Sequence, residues 1–415
     1  MDQTLTINDE LHSTDNDKSE KRITSQETVS FVEVRSSRRK RLIYSIVAII
    51  LIVVIAVSVP TIIVTTKKKN VTEVSTTTIK AAIFKTEILT TTKTTTESMI
   101  LTTETLAKNV HPGWKQDGIT VAGGSGQVNP LSMLSYPGGI DIDSKLAIYA
   151  AERGTHRVIK WKLDATMGEV VAGDKGAGDR PDQLSSPSDV VIDKKTNTLV
   201  ICDTNRLMRV LYIDKKPQST IILSYRCGHI AIDHNGTIYM SDFVSTDSTD
   251  PTGSTYTIKR WNEGELHPII VAGGNEYGNA LNQLYNPSYL FVDQDYSIYI
   301  SDTWNHRVMK WAKGAKKGVI IAGGQGPGDS LTQLNKPAGL IVDSLNNIYV
   351  IDSKNHRIMR FSEGSRQGTV VVGGNGYGRG SNQFDSPADL AFDKKGNLYV
   401  SDTMNQRIQK FYLNN

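Results

Sequence analysis

The chain has 415 residues, 22% of them charged, and a net charge of only +4, much of it owed to basic clusters flanking one apolar stretch. No overall basic field of the kind nucleic acid requires is present, so nucleic acid is not expected as a partner. Only Cys202 and Cys227 occur, too few for the paired-cysteine zinc cluster of a ubiquitin-ligase ring.

Residues 1–41 mix Asp, Ser, Thr and Lys without periodicity and are expected to be a disordered tail. Residues 42–64 then run 23 positions without a charge. That is long enough for a helix to cross a hydrocarbon core of roughly 30 Å. A cleaved signal peptide has a short start and an apolar stretch of roughly 7–15 residues. Here about forty mostly polar residues come first, so the segment reads as an uncleaved signal anchor.

Arg35, Arg38, Arg39, Lys40 and Arg41 precede the span and Lys67, Lys68 and Lys69 follow it. The bias favours a cytoplasmic N-terminus, with everything downstream extracellular or lumenal. The tail is too short for a catalytic domain. Residues 65–117 are dense in Thr and read as an O-glycosylated stalk, the plainer alternative being a bare flexible linker. Two N-x-Thr acceptors occur, at Asn70 and Asn235.

From residue 118 to 415 one phrase recurs six times at a spacing of about fifty residues: a Gly-Gly run, Gln-Leu-x-x-Pro, an apolar run ending in Asp, Tyr-x-x-Asp and Asn-x-Arg. The copies beginning Pro287-Ser-Tyr-Leu-Phe-Val-Asp293, Pro337-Ala-Gly-Leu-Ile-Val-Asp343 and Pro387-Ala-Asp-Leu-Ala-Phe-Asp393 fall in step, and the third copy is degenerate. Each period holds four short β-branched and aromatic runs between turn residues, in the fifth copy 339–342, 347–351, 357–361 and 368–372. Four antiparallel strands per unit, here called a to d, repeated radially, make an all-β propeller of six blades. Residues 118–123 form a d strand with no a, b or c before it, and 407–411 a c strand with no d after it. The first strand is therefore expected to complete the last blade and remove its open edge.

Asn305-His-Arg307, Asn355-His-Arg357 and Asn405-Gln-Arg407 stand where the NHL-repeat family carries its Asn-His-Leu motif. The chain resembles that family over roughly residues 118 to 413. The resemblance implies a six-bladed propeller used mostly as a binding platform. Amidating-lyase relatives of the family hold zinc on several channel histidines; here His229 has no sister in the other innermost strands.

Other motif positions invite chemistry without supplying it. His156, His306 and His356 sit at equivalent points off the axis, whereas zinc needs its nitrogens about 2.1 Å from one ion. Glu152, Asp203, Asp242, Asp302, Asp352 and Asp402 form a carboxylate ring, and Asp302 and Arg307, Asp352 and Arg357, Asp402 and Arg407 read as structural ion pairs. No cofactor is expected: such oxygens would suit a structural calcium in the channel, but no single loop gathers enough of them to assign one. Trp161, Tyr212, Trp261, Trp311, Phe361 and Phe411 end every c strand and read as packing between blades. No phosphate loop or nucleophile elbow occurs, so no catalytic or metal residue is assigned. Cys202 and Cys227 come to the same face of adjacent blades, where a disulfide fits an oxidising compartment.

Symmetry breaks in the third unit. Its d-to-a loop shrinks to 224–227 and its b-to-c loop gains about ten residues through 243–256. Phe243, Asp247, Tyr256, Tyr277, Trp304 and Tyr377 gather on that face and are the candidate binding residues. The expected function is a membrane-anchored extracellular recognition module for a protein or glycan. The alternatives are an ectoenzyme with a channel metal and a structural or adhesive surface protein.

Overall fold

The computed structural model describes residues 113–124, 129–213, 216–244 and 254–414. The tail, the apolar span at 42–64, most of the stalk and Asn70 lie outside the described residues. Among those described, no helix is long and apolar enough to cross a membrane.

The described chain forms six four-stranded antiparallel sheets. The fourth is representative: β14 (Pro287–Val292), β15 (Ile298–Asp302), β16 (Arg307–Trp311) and β17 (Val319–Gly323) pair in chain order. The fifth, with strands at Pro337–Val342, Ile348–Asp352, Arg357–Phe361 and Thr369–Gly373, falls within two residues of the sequence reading. Between β15 and β16 a single 3-10 turn, Thr303–Asn305, ends on His306 in the left-handed region at φ 53°. The Gly-Gly run follows from that turn. Gly323 has φ +66°, and a Cβ on it would lie 2.4 Å from the His306 carbonyl oxygen, a contact no side chain survives.

Six apolar clusters make the core, each shared between two neighbouring blades. Tyr239, Ile258 and Leu284 of one sheet meet Ile300, Met309 and Trp311 of the next. Trp161, Trp261, Trp311, Phe361 and Phe411 are all buried, as a residue wedged between sheets must be. The side chain of Tyr212 is outside the described set.

The ring closes by pairing its ends. β1 (Ile119–Gly123) lies beside β24 (Arg407–Phe411), with Ile119 opposite Lys410 and Gly123 opposite Arg407. The seam continues past the strands: Trp114 bridges Leu413, and the Asn414 N–H donates to the Gly113 carbonyl at 2.8 Å. Residues 113–118 thus enter at the face of the a-to-b hairpins, opposite the b-to-c and d-to-a loops.

Candidate binding face

The loop face is held by a repeated clamp. Arg307, on β16, donates through Nε to Asp302 Oδ2 at 2.7 Å and through its outer nitrogens to the carbonyls of Asn279, Ala280 and Gln283 at 2.6–3.0 Å. Asp302 Oδ1 accepts the Tyr285 N–H at 2.7 Å, and Asn305 bridges Asp302 Oδ2 to the Gly278 carbonyl, 2.8 Å to each. A planar guanidinium suits this work because its five donors fan out in fixed directions. Arg357 with Asp352 and Arg407 with Asp402 repeat the pair at 2.8 Å. In the first two blades Arg157 takes Glu152 and Arg206 takes Asp203. The motif histidines work one step further out: the His306 Nδ1 accepts the Lys336 N–H of the next blade at 3.2 Å.

The third blade departs from this pattern. β11 (Ile238–Val244) and β12 (Thr255–Trp261) pair two rungs past Asp242, with Phe243 opposite Tyr256 and Val244 opposite Thr255. The inserted segment therefore begins as a longer hairpin rather than as a loop. Asp247 lies outside the described residues. No arginine stands opposite Asp242; Lys259 reaches it at 2.7 Å and also contacts the Tyr225 hydroxyl. The shortened 224–227 loop presents no row of carbonyls for an arginine fork, so a single ammonium suffices. Cys202, at the end of a b strand, and Cys227 form a disulfide with their Cα atoms 5.8 Å apart, tying the short loop to the second blade.

The space vacated by that loop is a recess of about 270 Å³. Arg153 and Arg226 flank it, Phe243 and Tyr256 form one wall, and Ser188 and Asn286 supply polar atoms. An aromatic row runs on from it. Phe243 stacks on Tyr256 at 4.7 Å, Tyr256 meets Tyr285 at 5.8 Å, and Tyr285 meets Tyr277 at 5.0 Å and Trp304 at 5.1 Å. Trp304 is 47% exposed, with Lys336 over its ring. Four candidate residues, Phe243, Tyr256, Tyr277 and Trp304, thus share one surface through Tyr285. Tyr377, 74% exposed, stands apart beside His356.

Beyond Gly228 in the recess wall, the innermost strands carry a buried polar set. His229 packs on Tyr289 with ring centroids 3.7 Å apart, and its Nδ1 lies 3.6 Å from Asp189 Oδ2. Asp189 accepts the Ile230 N–H at 2.9 Å and Asp389 the Ile140 N–H at 2.8 Å, each binding the next blade's innermost strand. Space for Asp189 comes from Gly139, where a Cβ would lie 1.8 Å from its Oδ1. Burial holds the His229 imidazole below its ordinary value and pushes the Tyr289 hydroxyl well above its own. Among the described residues no group of three or more His, Cys, Asp or Glu side chains is placed to hold a metal ion. The Asp302 oxygens that a calcium ion would need already accept hydrogen bonds.

Asp389 sets a pH dependence. Burial, and then the charge on Asp189, push its carboxyl well above the usual carboxylate range. The folded ring therefore keeps a proton there that the unfolded chain releases near its ordinary value of about 3.9. This stabilisation is complete below that value and is lost as the pH rises through the folded one. Asp389→Asn removes the titration, so the variant is expected to gain on the wild type between about pH 5 and about pH 8. Urea midpoints at the two pH values check this; a constant difference would show the carboxyl already ionised in the fold.

The family model for the NHL repeat matches residues 334–361 and 384–411, the a-to-c strands of the last two blades. No curated protein sequence matches the chain. Among solved structures, a protein of unknown function from Bacteroides thetaiotaomicron aligns at TM-score 0.56 and 18% identity, covering 72% of this chain and 76% of that one. An auxiliary nutrient binding protein from the same organism aligns at TM-score 0.56 and 14% identity, with the same coverage. Its counterpart from Bacteroides ovatus aligns at TM-score 0.54 and 13% identity, covering 74% and 78%. At such identities the likeness is one of fold. The described domain is thus a closed six-bladed β-propeller whose fifth and sixth blades match the NHL repeat.

Proposed function

We propose that this propeller is a recognition module that takes a protein or glycan ligand on its loop face, at the recess of the third blade and the aromatic row beside it. The observation that carries the reading is the continuity of Phe243, Tyr256, Tyr285 and Trp304, four rings in contact along a surface flanked by Arg153 and Arg226. Aromatic and arginine side chains are the usual anchors of interfaces. Tyr277 widens the row and Tyr377 is a separate anchor on the same face. Asp247 belongs to the same proposal through the inserted segment.

In this reading residues 42–64 anchor the chain in a membrane and the ring lies outside the cell or in the secretory lumen. Two observations support it. The Cys202–Cys227 disulfide suits an oxidising compartment. Residues 113–118 also arrive at the hairpin face, opposite the loop face that carries the recess. A glycan on Asn235, in the a-to-b hairpin of the third blade, would project from the hairpin face and leave the recess open; in the unmodified chain Asn235 donates to the Tyr296 hydroxyl at 2.6 Å.

The test uses the full-length chain, screened against an array of glycans and a panel of cell-surface ectodomains. Trp304→Ala and Tyr256→Ala are each expected to weaken a captured ligand by about tenfold or more, the scale of an interface anchor. Leu266→Ala, at an exposed site on the opposite face, should leave affinity unchanged. Loss of binding in Leu266→Ala with none in the aromatic variants would move the site off the loop face.

A further inference from the structure

On the opposite face of the ring the a-to-b hairpins carry lysine on one side only. The a-to-b hairpins of blades six, one and two carry Lys394, Lys395, Lys145, Lys194 and Lys195. The corresponding hairpins of blades three to five, at 233–237, 293–297 and 343–347, carry no Lys or Arg. Turn chemistry does not ask for lysine, since in every hairpin the aspartate at its start does the capping. Asp143 Oδ1 accepts the Lys145 and Ala147 N–H groups at 2.8 and 2.9 Å, and Asp393 Oδ1 accepts the Lys395 N–H at 2.8 Å.

Those aspartates do not neutralise the hairpin lysines, because each has a cation of its own on the third strand of its blade. Lys160 lies 4.0 Å from Asp143, Arg209 2.8 Å from Asp193 and Lys410 3.7 Å from Asp393. None of the five hairpin lysines makes an ion pair among the described residues; Lys195 donates to the Asn235 carbonyl instead. Apart from the pull of Lys194 on the buried Asp141 carboxylate, their charge has no acidic partner there, and it borders a cavity of about 700 Å³ at the ring's hairpin-side mouth. Lys145, Lys194 and Lys394 stand on its rim, and Ile142, Ile192 and Phe392 line it.

We propose that this half-ring is a second binding site, independent of the loop face, and that its ligand is a sulfated glycan. Lysine ammonium groups on flexible stems pair with sulfate esters as point charges without demanding one fixed geometry. The apolar lining offers a surface for the carbon faces of sugar rings. The cavity falls in the size range of ligand pockets, roughly 300–1,000 Å³, and its concave shape suits a chain of sugars better than a flat lipid surface.

The experiment measures binding of the full-length chain to an immobilised heparin octasaccharide, to its desulfated counterpart, and to vesicles of phosphatidylcholine with and without phosphatidylserine. The wild type is expected to bind the sulfated sugar at least about tenfold more tightly than the desulfated one, and to weaken as salt screens the contact. The triple variant Lys145→Gln, Lys194→Gln, Lys394→Gln should lose about tenfold in affinity with an unchanged melting temperature, its sites being exposed. The charge-matched triple Lys313→Gln, Lys316→Gln, Lys317→Gln, on the outer hairpin of the fourth blade, should stay within about twofold of the wild type. Equal losses in the two triples, no loss in the first, no preference for sulfate, or binding to phosphatidylserine vesicles but not to the octasaccharide would each overturn the proposal.

Discussion

Arg307→Ala is expected to lower the stability of the ring by about 3–5 kcal/mol, the cost of breaking a buried ion pair from one side. Asp302 is fully buried, so removal of its partner leaves a carboxylate in low dielectric with only the Tyr285 N–H and the Asn305 amide to hold it. The same change strips the donor from the Asn279, Ala280 and Gln283 carbonyls, which belong to the connection between the third and fourth blades. Arg307→Lys should recover part of the loss, because an ammonium can meet the carboxylate but cannot also span three carbonyls. Denaturant unfolding of the two variants measures the effect. Tyr277 and Tyr285 sit on or beside the released connection, so ligand binding at the aromatic row should fall together with stability. A loss below about 1 kcal/mol for Arg307→Ala would place the pair in the class of solvent-screened surface bridges.

The propeller itself could be read from sequence because its signals are local and repeated. Pro, Asp, Tyr-x-x-Asp and Asn-x-Arg punctuate the fourth, fifth and sixth units in full, and each serves the same turn or clamp in all three. Blade number followed from counting strands at the two ends, and the disulfide from strand direction. The candidate site was legible only in outline. The irregular third unit drew attention to Phe243, Tyr256, Tyr277 and Trp304, but Tyr285, which joins them, occupies a position where the fifth and sixth blades carry Asn335 and Asp385.

Other features were missed because they depend on contacts between blades. Lys259 lies two residues beyond the place where the motif puts arginine, opposite Met240, and its long side chain reaches along the strand to Asp242. The channel set was visible as variation: the third residue of the innermost strand reads Gly139, Asp189, His229, Tyr289, Gly339 and Asp389 where its neighbours hold their type. That Gly139 makes room for Asp189 can be known only once the ring is closed.

Closure is the premise on which both faces rest, and its seam is anchored by Trp114. That side chain is buried against Tyr349 and Phe392, ring centroids 5.6 and 5.7 Å away, and its Nε1 donates to the Gly396 carbonyl at 2.9 Å. Trp114→Ala should cost about 3–5 kcal/mol, as other large-to-small changes of buried aromatics do. Native-state hydrogen exchange tests the seam directly. The account predicts that the amides of Ile119–Gly123 in the wild type exchange only through global opening, as slowly as those of β24, and that Trp114→Ala speeds both strands together. Exchange of residues 119–123 within seconds, with β24 unaffected by the variant, would show an open ring and contradict the account.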